Sequence, residues 1–253
     1  MSGHSKWSTI KHKKGAADQK RGQAFTKLSR EIIVAARAGG GDTDMNFRLR
    51  LAVENARAQN MPKENIERAI AKGAGTGADG GQLEEVVYEG YGPGGAGIII
   101  QTLTDNKNRT ASDVRSRLAK GGGNMAASNA VAWNFEKKGQ ISVTVTEGEA
   151  DEIALQVVDV GADDVDVDGS HITVTAPFNG FEQVRQKVAQ IKGVQVDQAE
   201  VAMISKTTIP LDQSKSMQML RLLDALEDLD DVQKVYSNAD FPDSALTEYA
   251  RAS

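Results

Sequence analysis

The chain has no cysteine. Disulfides, thiolate metal sites and cysteine nucleophiles are thereby excluded. Its uninterrupted apolar stretches are only a few residues long, far below the ~20 residues that a membrane-spanning helix needs, so no membrane segment is expected. The opening is basic but lacks the apolar core of a secretory signal, and a cytoplasmic location is the expectation. The common catalytic and nucleotide-binding patterns are missing as well: there is no H-E-x-x-H, no G-x-S-x-G and no P-loop. The three histidines are His4, His12 and His171. His4 and His12 sit in a polar leader, and two ligands alone make a poor zinc site. Carboxylates are plentiful, yet no pair stands out as an acid–base couple. The expectation is a protein that is not an enzyme, with no cofactor, no metal and no small-molecule substrate.

The leader also lacks negative charge, since no acidic residue precedes Asp18. What it contains is Lys6, Trp7, Lys11, His12, Lys13 and Lys14, with Trp7 and Ile10 as its only sizeable apolar side chains after the initiating residue. Such a segment has little apolar surface to offset the entropy of ordering. It reads as a mobile basic arm over residues 1–20 that becomes ordered on a polyanion, its lysines attracting phosphates and Trp7 offering a face for a base. The bland alternative is a basic tail with no partner. Helix periodicity then runs from about Ala17 to Ala38. Phe25, Leu28, Ile32 and Ala36 share one face, while Lys20, Lys27, Arg30 and Arg37 lie on the other half, and Lys20 and Arg21 continue the positive charge of the arm.

The net charge of −5 conceals an imbalance. Residues 1–75 carry 15 Lys+Arg and 7 Asp+Glu, a balance of +8, while the remainder carries 15 and 28, a balance of −13. A polyanion is attracted to the first part and repelled by the rest. At 253 residues the chain is long enough for two or three domains. Residues 21–75 read as a helical domain. Gly39-Gly40-Gly41 ends helix one, Asp42-Thr43-Asp44 offers capping oxygens, helix two spans about Met45 to Gln59, and Pro62 opens helix three, which Gly73 stops. The mixed charges of Lys63, Glu64, Asn65, Glu67 and Arg68 argue against a major-groove recognition helix. Ala74 to Gln82 reads as a linker.

Strands over Glu84–Tyr88 and Gly97–Leu103 follow. Gly90, Gly92 and Gly95 match G-x-G-x-x-G, but a strand succeeds them where a dinucleotide site requires a helix, so the segment reads as a glycine-rich hairpin loop. Thr104–Thr110 joins a strand to an amphipathic helix, and Lys107, Arg109 and Arg115 make that loop the second candidate anion surface. Its plain alternative is capping by Asp105 or Thr110. From about Trp133 to Lys206 the order is strand, helix, strand, strand, helix, strand, with a hairpin turn at Asp168-Gly169, which is the ferredoxin-like arrangement. A helix bearing Met219, Leu222, Leu223, Leu226 and Leu229 and a strand near Val232–Tyr236 complete the second domain. The expected domains are therefore 21–75, a discontinuous 83–132 plus 207–238, and an inserted 133–206, with a frayed tail after Phe241.

Gly3-His4-Ser5-Lys6-Trp7, Lys11-His12-Lys13-Lys14, Lys20-Arg21-Gly22 and Phe25-Thr26-Lys27-Leu28 together resemble the opening of the YebC/PmpR family. Asn60-Met61-Pro62, Tyr88–Gly95, Asp105–Thr110 and Leu226–Gln233 extend the resemblance over nearly the whole chain. It implies three domains, a helical N-terminal domain and two α/β domains; with the element order read above, the expected fold is α+β, an N-terminal helical bundle followed by two α/β domains, the third ferredoxin-like and inserted into the second. It also implies a DNA-binding transcriptional regulator or, alternatively, a ribosome-associated translation factor that binds ribosomal RNA and relieves stalled elongation, for example at proline runs. Both point to a nucleic-acid partner, DNA or ribosomal RNA, and the second to the ribosome. The candidate contacts are Lys6, Trp7, Lys11, His12, Lys13, Lys14, Lys20, Arg21, Lys27, Arg30, Lys107 and Arg109.

Overall fold

In the computed structural model, the described residues are Trp7, 18–75 and 83–252. Three helices come first: α1 (Asp18–Gly39), α2 (Phe47–Ala58) and α3 (Lys63–Gly73). Gly40 closes α1 in the left-handed region, φ 86°, where a residue without Cβ is unstrained. Sequence reasoning gave the capping of α2 to Asp42–Asp44. Asn46 does it instead: its Oδ1 accepts from Leu49 N at 3.1 Å, and its Nδ2 donates to Ala35 O and Gly40 O at 2.8 Å each. One buried amide thus caps α2 and satisfies carbonyls at the end of α1. Gly73 does end α3, but close packing sets its identity, since a Cβ there would lie 2.4 Å from Ile33 O.

The second domain is a four-stranded sheet in the order β3-β1-β2-β9, formed by β1 (Glu84–Tyr91), β2 (Gly97–Thr104), β3 (Asn124–Met125) and β9 (Val232–Ser237). Antiparallel β1 and β2 pair from Glu84↔Thr104 to Tyr91↔Gly97. Gly94 and Gly95 carry the turn between them at φ 77° and 79°, so the glycines serve the hairpin. On one face of β2, Ile98 and Ile100 join a core with Val114 and Leu118 of α4 (Lys107–Lys120) and Met219, Leu222, Leu223 and Leu226 of α7 (Gln213–Glu227). Each such side chain contributes about 1.5–3 kcal/mol on burial.

The third domain has the sheet order β5-β6-β4-β7. Its elements are β4 (Phe135–Val145), α5 (Ala150–Asp159), β5 (Asp164–Asp168), β6 (His171–Pro177), α6 (Phe181–Ala189) and β7 (Val194–Ser205). That is the ferredoxin-like topology, inserted between β3 and the elements that return to complete the second domain. Asp168 pairs with His171, so Gly169-Ser170 forms the two-residue turn, one position later than expected. Gly169 has φ 61°, as the first turn position of a II′ hairpin requires.

The residues after Phe241 are not frayed. A short parallel pairing of β8 (Ile209–Pro210) with β10 (Ala239–Asp240) leads into α8 (Asp243–Ala252). Leu246 and Tyr249 of α8 lie in the same core as Ile98. The chain divides into two compact units: one runs through Ala52, resumes over Pro62–Glu136 and continues from Ser205; the other takes Val53–Met61 and Lys137–Ile204. No helix among the described residues is long and apolar enough to cross a membrane.

Candidate nucleic-acid interface

Trp7 does not present an open face. It is 2% exposed and belongs to the core formed by Ile98, Val114, Leu118 and Met219. A ring covered in this way cannot take a base. An indole removes more apolar area from water than any other side chain in the leader, so burying it outweighs leaving it for a partner. The expected stacking residue is thus an anchor of the fold. Lys6, Lys11, His12, Lys13 and Lys14 lie outside the described residues. Lys20 and Arg21 fall in the first turn of α1, where the described structure covers only the backbone.

The remaining four candidates have internal partners. Lys27 Nζ donates to Glu227 O. Arg30 Nη1 reaches Asp230 O at 2.6 Å and Asp231 Oδ1 at 2.9 Å. Arg109 Nη2 bonds Asp231 Oδ2 and Asp105 Oδ1, both at 2.8 Å. Lys107 Nζ is 2.6 Å from Glu84 Oε2. The face of α1 that the charge pattern assigns to a polyanion therefore turns its Lys27 and Arg30 onto the protein's own acceptors.

Asp231 is the centre of this arrangement, its side chain 9% exposed. Thr110 Oγ1 donates to it at 2.7 Å, and the Asp231 carbonyl accepts from Leu103 N at 2.8 Å. Burial alone would raise this carboxyl. Hydrogen bonds from Arg109 and Thr110, together with the charges of Arg109 and Arg30, outweigh it and hold Asp231 below the usual aspartate value. Donating to the carboxylates of Asp231 and Asp105 in turn raises Arg109 above its ordinary value. Asn106, which sequence reasoning passed over in favour of Asp105 or Thr110, caps α4 by accepting from Arg109 N at 3.1 Å.

Unengaged positive charge appears at the other end of α4. Arg115, Arg117 and Lys120 are exposed, and none has an ion pair among the described residues. Within α4 the only carboxylate is Asp113. Of these three, Arg115 adds to the expected anion surface, while Arg117 and Lys120 lie outside it. A helix carrying five cations and one acid was legible in the sequence; which of the cations the fold consumes was not.

A second feature was missed altogether. Trp133 is 68% exposed and Tyr91 36%. Trp133 Nε1 and Tyr91 OH both donate to Ala130 O, at 3.0 and 3.2 Å. Glu89, two residues before Tyr91 on β1, is 6% exposed. Its carboxylate accepts three backbone N–H groups: Asn129 at 2.6 Å, Val131 at 2.7 Å and Ala132 at 2.9 Å.

Two family descriptions match the chain: "TACO1/YebC protein N-terminal domain" over residues 5–76 and "TACO1/YebC second and third domain" over residues 83–239. Probable transcriptional regulatory proteins from Desulforapulum autotrophicum and Dehalococcoides mccartyi strain BAV1 are 53% and 51% identical, covering 96% and 98% of this chain and 98% of each relative. The crystal structure of a conserved hypothetical protein from Aquifex aeolicus, 43% identical, superposes with a TM-score of 0.84 over 92% of this chain and 96% of that one. The helical, split and inserted domains, together with these matches, establish that the chain belongs to the TACO1/YebC family.

Proposed function

We propose that this chain is a non-enzymatic regulator of gene expression that binds nucleic acid, as a DNA-binding transcriptional regulator. The observation that carries the reading is the exposed cationic half of α4, where Arg115, Arg117 and Lys120 form no ion pair among the described residues. Such groups neutralise phosphates and release counterions. The names of the relatives, probable transcriptional regulatory proteins, agree with it. The leader lysines Lys6, Lys11, Lys13 and Lys14 supply further phosphate contacts in this reading. Lys27, Arg30, Lys107 and Arg109 serve the fold in this reading, since each already has an internal acceptor.

One observation favours a second reading, a ribosome-associated translation factor on ribosomal RNA that relieves stalled elongation. Trp133 offers an open ring, and single-stranded loops present unstacked bases where duplex DNA does not. The charge balance of −13 beyond residue 75 also suits a partner with basic protein surfaces.

Affinity for duplex DNA and for a ribosomal RNA fragment, measured against salt, tests the proposal. Log affinity should fall linearly with log salt, with a slope of about −0.7 to −0.9 per phosphate contact. Replacing Arg115, Arg117 and Lys120 together by Gln should reduce the slope by about 2–3. An unchanged slope would remove α4 from the interface. Crosslinking in cells to promoter DNA or to ribosomal RNA then separates the two readings.

A further inference from the structure

We infer that Trp133, with Tyr91 beside it, is a preformed stacking platform for an unpaired nucleobase, and that Lys206 holds the adjoining phosphate. The inference rests on the nucleic-acid reading above and names the group that would contact a base.

Leaving a tryptophan in water forgoes the burial that normally fixes its position. Here hydrogen bonds fix it instead. The Glu89 carboxylate ties down the backbone of Asn129, Val131 and Ala132, just before Trp133 in the chain. Just after it, buried Asn134 accepts from Thr207 N at 3.0 Å and Thr207 Oγ1 at 2.7 Å, and donates to Thr207 O at 2.8 Å. Lys206 N donates to Asn134 O at 2.7 Å. The indole N–H is taken up by Ala130 O, so the ring is oriented while its surface stays open. An exposed aromatic side chain whose backbone and polar edge are both held loses little entropy when a flat partner covers it.

The choice of occupant follows from Lys206. The pairing of residues 206 and 207 with Asn134 brings its Nζ to 3.4 Å from Trp133 O, and among the described residues no carboxylate forms an ion pair with it. An ammonium group held at the backbone of an exposed flat residue matches a base and its phosphate, the combination found in single-strand binding sites. The sequence holds only two tryptophans, and with Trp7 buried, Trp133 is the one whose emission a ligand can reach.

The test uses the full-length chain, a short oligoadenylate and an abasic oligonucleotide of the same length and charge. Oligoadenylate should quench the tryptophan emission, and Trp133→Phe should abolish the quenching while keeping most of the affinity. Trp133→Ala should weaken oligoadenylate binding by about 5- to 150-fold and leave the abasic strand unaffected. Lys206→Gln should weaken both strands. Equal affinity of parent and Trp133→Ala for oligoadenylate overturns the platform. Equal binding of the two oligonucleotides, with a phosphate-like salt slope, overturns the platform alone and leaves the nucleic-acid reading standing. If neither strand binds at low salt, both fall.

Discussion

Asp231 shows how one carboxylate redirects the charge of a whole surface. Arg30 and Arg109 reach it from α1 and α4, so two cations that look available in the sequence are occupied. A carboxyl held below its unfolded value stabilises the fold above about pH 3.9, and that contribution is lost as the pH falls through the folded value. Asp231→Asn should therefore cost about 1–3 kcal/mol at neutral pH, the usual loss for hydrogen bonds to a charged group. The deficit should shrink towards zero in acid, where the parent's carboxyl is itself protonated. Urea unfolding of parent and variant at pH 7 and at a series of lower pH values reads this directly; a gap that never narrows on acidification would show that Asp231 acts by shape alone.

The elements were more legible than their ends. Hydrophobic periodicity located α1 to within a residue at each end and the β4–α5–β5–β6–α6–β7 order throughout, because spacing of apolar residues reports directly on which face is covered. Capping was harder to read. Asn46 won over Asp42–Asp44 because its amide also reaches the carbonyls of Ala35 and Gly40, which only the folded chain brings near, whereas Asn106 caps α4 through a purely local contact with Arg109 N. The terminal helix α8 was missed for a related reason. Ala245, Leu246 and Tyr249 make a narrow apolar face that looks too small to hold a helix until the core receives it, Tyr249 OH bonding Asp224 Oδ2 as it does so. Leu246→Ala should destabilise the protein by about 2–5 kcal/mol, seen as a lower urea midpoint. A midpoint matching the parent's would mean that α8 contributes little to that core.

On the scale of the molecule, the charge imbalance between residues 1–75 and the remainder was plain in the sequence, but its use was not. Trp7 illustrates the reason. A tryptophan among lysines has the same composition whether it waits for a base or fills a cavity, and only the neighbouring Ile98, Val114 and Leu118 decide between them. The leader consequently combines two separable roles, one for its indole and one for its lysines. Trp7→Ala should lower stability by about 3–5 kcal/mol without changing the salt slope of the folded protein. Replacing Lys11, Lys13 and Lys14 by Gln should do the reverse, leaving the melting temperature near the parent's and reducing the slope by about 2–3. Both properties changing together in either variant would mean that the two roles are not separable.

Glu89 has a consequence for how the segment from Asn129 to Asn134 can vary. Its carboxylate grips main-chain amides and reads none of the side chains attached to them. Ala132 can therefore exchange for another residue that keeps its N–H, proline being the replacement that removes the handle, whereas Asn129 is confined by its φ of 65° and Val131 by its place in the core. The bend that carries the exposed indole is thus written partly in main-chain amides and partly in two side-chain identities, Asn129 and Val131.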